Sequence, residues 1–195
     1  IYATPLFHHT VNATMKTFIE RTWPICEPFL LEREGRWFHP LRNKHPSVVV
    51  LSVCGFPAMS AFGGLTHYVK FLYGAQEKEM LWAEIYRPGA EFMMYQHDKQ
   101  KDILDATRQA GRELVEIHSV SPGTLVRIEQ PLADNLSDFA KITNCMWGSC
   151  IAEGISKKKF EKEDMIPRPD SIETFMLLMP MGFNPERAGD TKATL

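Results

Sequence analysis

The chain has 195 residues, 44% of them hydrophobic and 24% charged, with a net charge of −2. That composition is ordinary for a globular protein with enough apolar material for a sizeable core. It lacks the concentrated basic face of a nucleic-acid binder, and its longest apolar run, "VVVLSVCGF", is too short to span a membrane. Neither a nucleic-acid partner nor a membrane span is therefore expected. The four cysteines (Cys26, Cys54, Cys145 and Cys150) form no dense framework, which favours reduced thiols in a cytoplasmic setting. No metal site is expected, because the close pair in "CMWGSC" is followed by no further Cys or His at ligand spacing.

In chain order, "IYAT" predicts a short strand that ends where Pro5 holds Thr4 extended and removes an amide donor. The chain opens inside that strand, so its natural start is expected upstream of Ile1. Val11, Met15, Phe18 and Thr22 recur at helical spacing, with Thr10 or Asn12 as the cap and Pro24 and Pro28 as the stop. "EREGRWFHPLRNKHP" reads as a polar excursion or small hairpin. "SVVVLSV" is a β-branched run typical of a strand covered on both faces. Phe62, Leu65, Val69 and Leu72 form a second helical stripe. "LWAEIY" predicts a third strand stopped by Pro88, and residues 98–117 predict a long helix with Ile103, Leu104, Leu114 and Val115 on its apolar side. Alternating strands and helices imply a parallel sheet with helices on both faces. After Ser119, "SPGTLVRIEQPL" starts a helix at Ser-Pro and 134–163 is helical or irregular. The charge run "SKKKFEKED" reads as a solvated face or linker. In the tail, Asp170 or Ser171 caps a helix carrying Ile172, Phe175, Met176 and Met179.

In open α/β sheets, ligands bind beyond the carboxyl ends of the strands. "TPLFHHTVN" and "SVCGFPAMS" are both strand-end loops leading into helices, so they are expected side by side on that edge. Together they offer backbone amides, Gly55 for close approach, and two aromatics, Phe7 and Phe56. A flat heteroaromatic ring needs walls to stack on and fixed donors for its carbonyl edge. Spacing alone leaves open that Phe7 and Phe56 are core residues.

The segment "YATPLFHHTVNATMKTFIER" resembles the flavin loop of NAD(P)H-dependent FMN reductases and related flavodoxin-like flavoproteins. The likeness is carried by Pro5, Leu6, Phe7, Met15, Lys16, Glu20 and Arg21, with "VVVLSVCGFP" similar to the next strand and its loop. Phe7 stands where that family often has tyrosine. The resemblance implies a flavodoxin-like three-layer parallel sheet, here incomplete, with the first strands and the "GSxRxxS" phosphate turn missing, followed by a helical C-terminal extension. It assigns residues 1–118 to the latter part of an FMN-binding domain and 119–165 to an extension and linker. Residues 166–195 resemble the start of a sterol-carrier-like domain, which implies a lipid ligand there.

By the same resemblance, the whole protein moves hydride from NAD(P)H to FMN and passes electrons to a small-molecule acceptor such as a quinone or metal, without a catalytic side chain. It is expected to be a homodimer, whereas the fragment alone is expected to be inactive. Thr4, Pro5, Leu6 and Phe7 would meet the ring, and Ser52, Val53, Cys54, Gly55 and Phe56 would line the second loop. His8, His9 and Asn12 would hydrogen-bond the ring or a nicotinamide, although a solvated turn with Asn12 as a helix cap explains them equally well. The alternatives are an electron carrier without a pyridine-nucleotide site and a flavin-free interaction module.

Overall fold

The computed structural model describes residues 1–162 except 34, 45, 75–79, 134 and 153; the expected tail helix and sterol-carrier-like start lie outside the described residues. Two compact units divide the chain at residues 134 and 135. The first is a mixed α/β unit around a parallel sheet of β1 (Tyr2–Pro5), β4 (Val48–Val53) and β5 (Leu81–Arg87), in the order β1-β4-β5. β1 pairs with β4 in register Tyr2 to Val50 through Pro5 to Val53, and β4 pairs with β5 through Val53 to Arg87. A register shift between Val48 and Val49 lets β5 place one extra residue against β4.

The β-branched run at β4 does what a doubly covered strand must. Val48 and Val50 pack with Phe62, Leu65 and Val69 on one face. Val49 and Leu51 pack with Ile85, Ala106, Ala110 and Ile128 on the other. The first face is covered by α1 (Ala13–Arg21) and α2 (Gly63–Val69). The second is covered by α3 (His97–Ile117) and α4 (Pro122–Glu129). Asn12 rather than Thr10 caps α1, its Oδ1 accepting from the Met15 amide at 2.8 Å. Along α1 the half-buried contacts come from Met15 and Ile19, while Phe18 is exposed.

The apolar side expected for α3 is corrected at two positions. Leu104 is 42% and Val115 is 80% exposed, whereas Ile103, Ala106, Ala110 and Leu114 are buried. Small Ala106 and Ala110 let the helix lie close to the sheet, so the buried stripe follows the alanines rather than the largest side chains. The unit also runs past the expected boundary at residue 118. Glu113 of α3 accepts from the Ser121 amide at 2.7 Å and from the Thr124 hydroxyl at 2.8 Å, tying the start of α4 to α3.

The excursion contains the short hairpin of β2 (Leu31–Arg33) and β3 (Arg36–Phe38). Its base is closed by Glu27 N to Pro40 O at 2.7 Å and Arg42 N to Ile25 O at 2.8 Å. α2 is entered through a 3-10 turn (Met59–Phe62) and left through a π turn (Lys70–Gly74). In the second unit, α5 (Leu136–Ala152) and α6 (Lys157–Lys162) pack Met146 and Cys150 around Phe160. The charge run is thus partly helical, with one aromatic buried. Among the described residues no helix is long and apolar enough to cross a membrane.

Candidate functional site

Parallel pairing of β1 with β4 brings the two strand-end loops together, and the Leu6 amide continues the ladder to Val53 O at 2.9 Å. The chain then reverses in a two-residue turn: Phe7 N donates to Thr10 O and Thr10 N to Phe7 O, both at 3.0 Å. The two central residues are His8 and His9, with φ of 45° and 62°. This is the left-handed region, where such a turn usually takes Asn-Gly, and side chains held there cost about 1–3 kcal/mol each.

Three contacts hold the strained turn. His9 Nδ1 lies 2.9 Å from Ala61 O; a carbonyl only accepts, so Nδ1 carries the proton and Nε2 is left as an acceptor when the ring is neutral. The His9 ring stacks on Phe56, with centroids 5.7 Å apart and planes 16° apart. The backbone of His9 also presses against α2, where a Cβ on Gly64 would lie 2.7 Å from His9 O. Since a backbone atom cannot swing away, Gly64 is what lets the turn dock.

The second loop is anchored from β5. Cys54 N donates to Arg87 O at 3.1 Å, Ala90 N to Cys54 O at 2.9 Å, and Gly89 N to Phe56 O at 2.7 Å. Arg87 itself is buried, and its guanidinium donates to Pro88 O at 2.6 Å, Ile128 O at 2.5 Å and Gln130 O at 2.8 Å. Desolvation pulls its pKa down, and the carbonyls at the end of α4 compensate the charge. Burial pushes the Cys54 thiol up, so it is a poor nucleophile, and its Sγ faces Phe56 O at 3.5 Å. The Phe56 and Gly89 amides face the Cys54 sulfur and partly offset that rise, whereas among the described residues the Gly55 amide donates to no protein acceptor.

The structure thus sorts the expected site residues. Phe7 and Phe56 are 57% and 59% exposed, which removes the core reading for both. Pro5, His8 and the Gly55–Phe56 backbone lie on the same edge. Leu6 packs inward on the core, and Thr4 is buried, its hydroxyl accepting from Asn12 N at 3.3 Å. Asn12 spends its carbonyl oxygen on the helix cap. Ser52 is buried within β4 and its hydroxyl has no hydrogen-bond partner, while Val53 is partly exposed. Thr4, Leu6, Ser52 and Cys54 therefore support the site from beneath. A Cβ on Gly55 would meet Glu91 Oε1 at 2.9 Å, the far end of a flexible side chain. The close approach expected at Gly55 is more stringent at Gly64.

Gly64, Ala61 and Arg87 lie outside the sequence-read set. Only Arg87 carried a signal, being a charged residue at the end of an apolar strand. Among the described residues no group of His, Cys, Asp and Glu is arranged to hold a metal. No protein-family model, curated protein or solved structure matches the chain.

Proposed function

We propose that the Phe7–Thr10 turn and the Cys54–Phe56 loop form the ring-binding side of an FMN site in a flavodoxin-like, NAD(P)H-dependent reductase. The observation that carries this reading is the pairing of two exposed aromatic rings with the Gly55 amide, which among the described residues donates to no protein acceptor, at the carboxyl edge of a parallel sheet. Bound FMN would supply the hydride and electron chemistry, taking hydride from NAD(P)H and passing electrons to a small-molecule acceptor.

The side chains have separate tasks. Phe7 and Phe56 offer apolar surface to the ring and keep water from its faces. The Gly55 amide supplies a donor for its carbonyl edge, and His9 Nε2 supplies an acceptor. His9, stacked on Phe56 and fixed by Ala61 O, orients that aromatic wall. No side chain needs to act as an acid or base, in keeping with a Cys54 thiol held protonated by burial. A phosphate-holding turn has no counterpart in these residues, so binding by this chain falls on the ring.

The test is a titration of the chain with FMN and with lumiflavin, which has the ring but no ribityl phosphate. The two should bind alike, with flavin fluorescence quenched by both. Absence of quenching by either would remove the flavin reading. If the chain binds flavin but the whole protein transfers no hydride from NAD(P)H to a soluble quinone, the electron-carrier alternative is favoured.

A further inference from the structure

At the opposite, amino end of the sheet, a cavity of about 270 Å³ lies between α1, α2 and the base of the excursion. Its inner end is formed by Tyr73 and Met80, both buried. Trp23, Tyr68, Ile19 and Leu72 make further walls. Lys16 and Glu20 stand at the open end, their side chains 49% and 63% exposed and paired at 2.8 Å. The cavity shares no lining residue with the flavin-facing loops.

We propose that this cavity binds an uncharged aromatic molecule of one or two fused rings. Size sets the upper limit: an apolar protein cavity of roughly 150 Å³ takes up one benzene ring, so this one has room for about two. Charge selects against ions. Lys16 and Glu20 neutralise each other, and burial keeps the Tyr73 phenol protonated. A ligand with a formal charge would be desolvated against no unpaired counter-charge. Shape favours a flat molecule, because three of the walls are aromatic and accept stacking or edge contacts.

The backbone is adapted to the same end. Where α2 would continue regularly, the chain widens into the π turn at Lys70–Gly74, a feature often found beside binding sites. There the adjacent Leu72 and Tyr73 both line the cavity, while Phe71 lies outside beneath Arg36, at 4.3 Å from its guanidinium carbon. Closure of the excursion brings Trp23 and Cys26 over the fourth side. The proline-punctuated segment therefore acts as a cavity wall.

The experiment uses the full chain with methyl-labelled methionine and 2-naphthol as probe. The Met80 methyl signal, assigned with Met80→Leu, should shift saturably with a Kd below about 1 mM, while the Met146 signal stays in place. Ile19→Trp, which fills the cavity from α1, should weaken the binding at least tenfold. Should that variant lose its far-UV signature, Cys26→Met fills from the other wall and carries the comparison. No saturable Met80 shift would overturn the site. So would binding that survives filling, and 2-naphthoate binding more tightly than 2-naphthol would overturn the uncharged class. Flavin binding by a folded Ile19→Trp variant should be unchanged, so the two sites fail or stand separately.

Discussion

At the carboxyl end of the strands the chain leaves two aromatic rings, Phe7 and Phe56, facing solvent, beside a turn whose histidines are held left-handed. At the amino end it uses aromatics of the same kind, Trp23, Tyr68 and Tyr73, to line a cavity beneath the excursion. The same parallel sheet supports both. The difference lies in how the backbone is held. The second carboxyl loop is fixed by hydrogen bonds to the Arg87 carbonyl and from the Gly89 and Ala90 amides, and the two loops leave the Phe7 and Phe56 rings exposed to a ligand. The amino end gains its shape from side-chain packing and an irregular helix, and its only charged lining groups, Lys16 and Glu20, are paired with each other. A polar-edged ring suits the first arrangement and an apolar one the second.

The strongest way to break this comparison is to remove the floor beneath the carboxyl loops. Phe62 is fully buried and stacks on Tyr86 with centroids 4.6 Å apart. Phe62→Ala should cost about 3–5 kcal/mol, read as a lower urea midpoint, and should loosen both ends together. A loss under about 1 kcal/mol would mean that the two regions do not share a core.

Gly64→Ala acts on one end alone. Its Cβ would meet the His9 backbone, so the turn must shift, at about 1–3 kcal/mol. Flavin-ring binding should fall while 2-naphthol binding holds. Gly55→Ala, whose Cβ meets only the end of Glu91, should be milder on both counts. Reversal of that order would place the critical close approach in the second loop.

The strain itself can be relieved. Replacing His8 by Asn and His9 by Gly gives the turn the residues its backbone prefers, and should raise stability by about 1 kcal/mol. It should also weaken ring binding, because the stack on Phe56 and the bond to Ala61 O are lost. Higher stability with undiminished binding would make the histidines incidental.

The smallest effect is a pH dependence remote from both loops. Hydrogen bonds from the Ser121 amide and the Thr124 hydroxyl lower the Glu113 carboxyl from the usual 4.5 to about 2. A carboxyl depressed on folding stabilises above its unfolded pKa, and that contribution is lost as pH falls through the folded value. The urea midpoint should therefore decline between 4.5 and about 2. Glu113→Gln should flatten that decline without affecting either ligand, and an equal slope in both proteins would remove the assignment.

Much of this architecture is legible in the sequence where one local signal dominates. The β-branched run at residues 48–53 and the cap at Asn12 predict their elements because burial on two faces and an unsatisfied helix start leave few alternatives. Leu104 and Val115 mislead because Ala106 and Ala110, not the larger residues, set how closely α3 approaches the sheet. The turn at His8–His9 is illegible for a different reason. Its sequence lacks the Asn or Gly that signals left-handed backbone, and the contacts that hold it come from Phe56, Ala61 and Gly64, about fifty residues away. Likewise, Phe7 and Phe56 fit a core or a surface wall equally well until the fold shows both exposed.

The most direct test of the proposed flavin site is Phe7→Ala, followed by a flavin titration and by the thermal melt of the flavin-free protein. Phe7 is mostly exposed, so its removal should leave the melt unchanged. Flavin affinity should fall about tenfold, roughly 1.4 kcal/mol, with a shift in the bound flavin's absorption as its ring gains water. A lowered melting temperature with flavin affinity and spectrum unaltered would contradict the account, returning Phe7 to packing and leaving the carboxyl edge without its ring site.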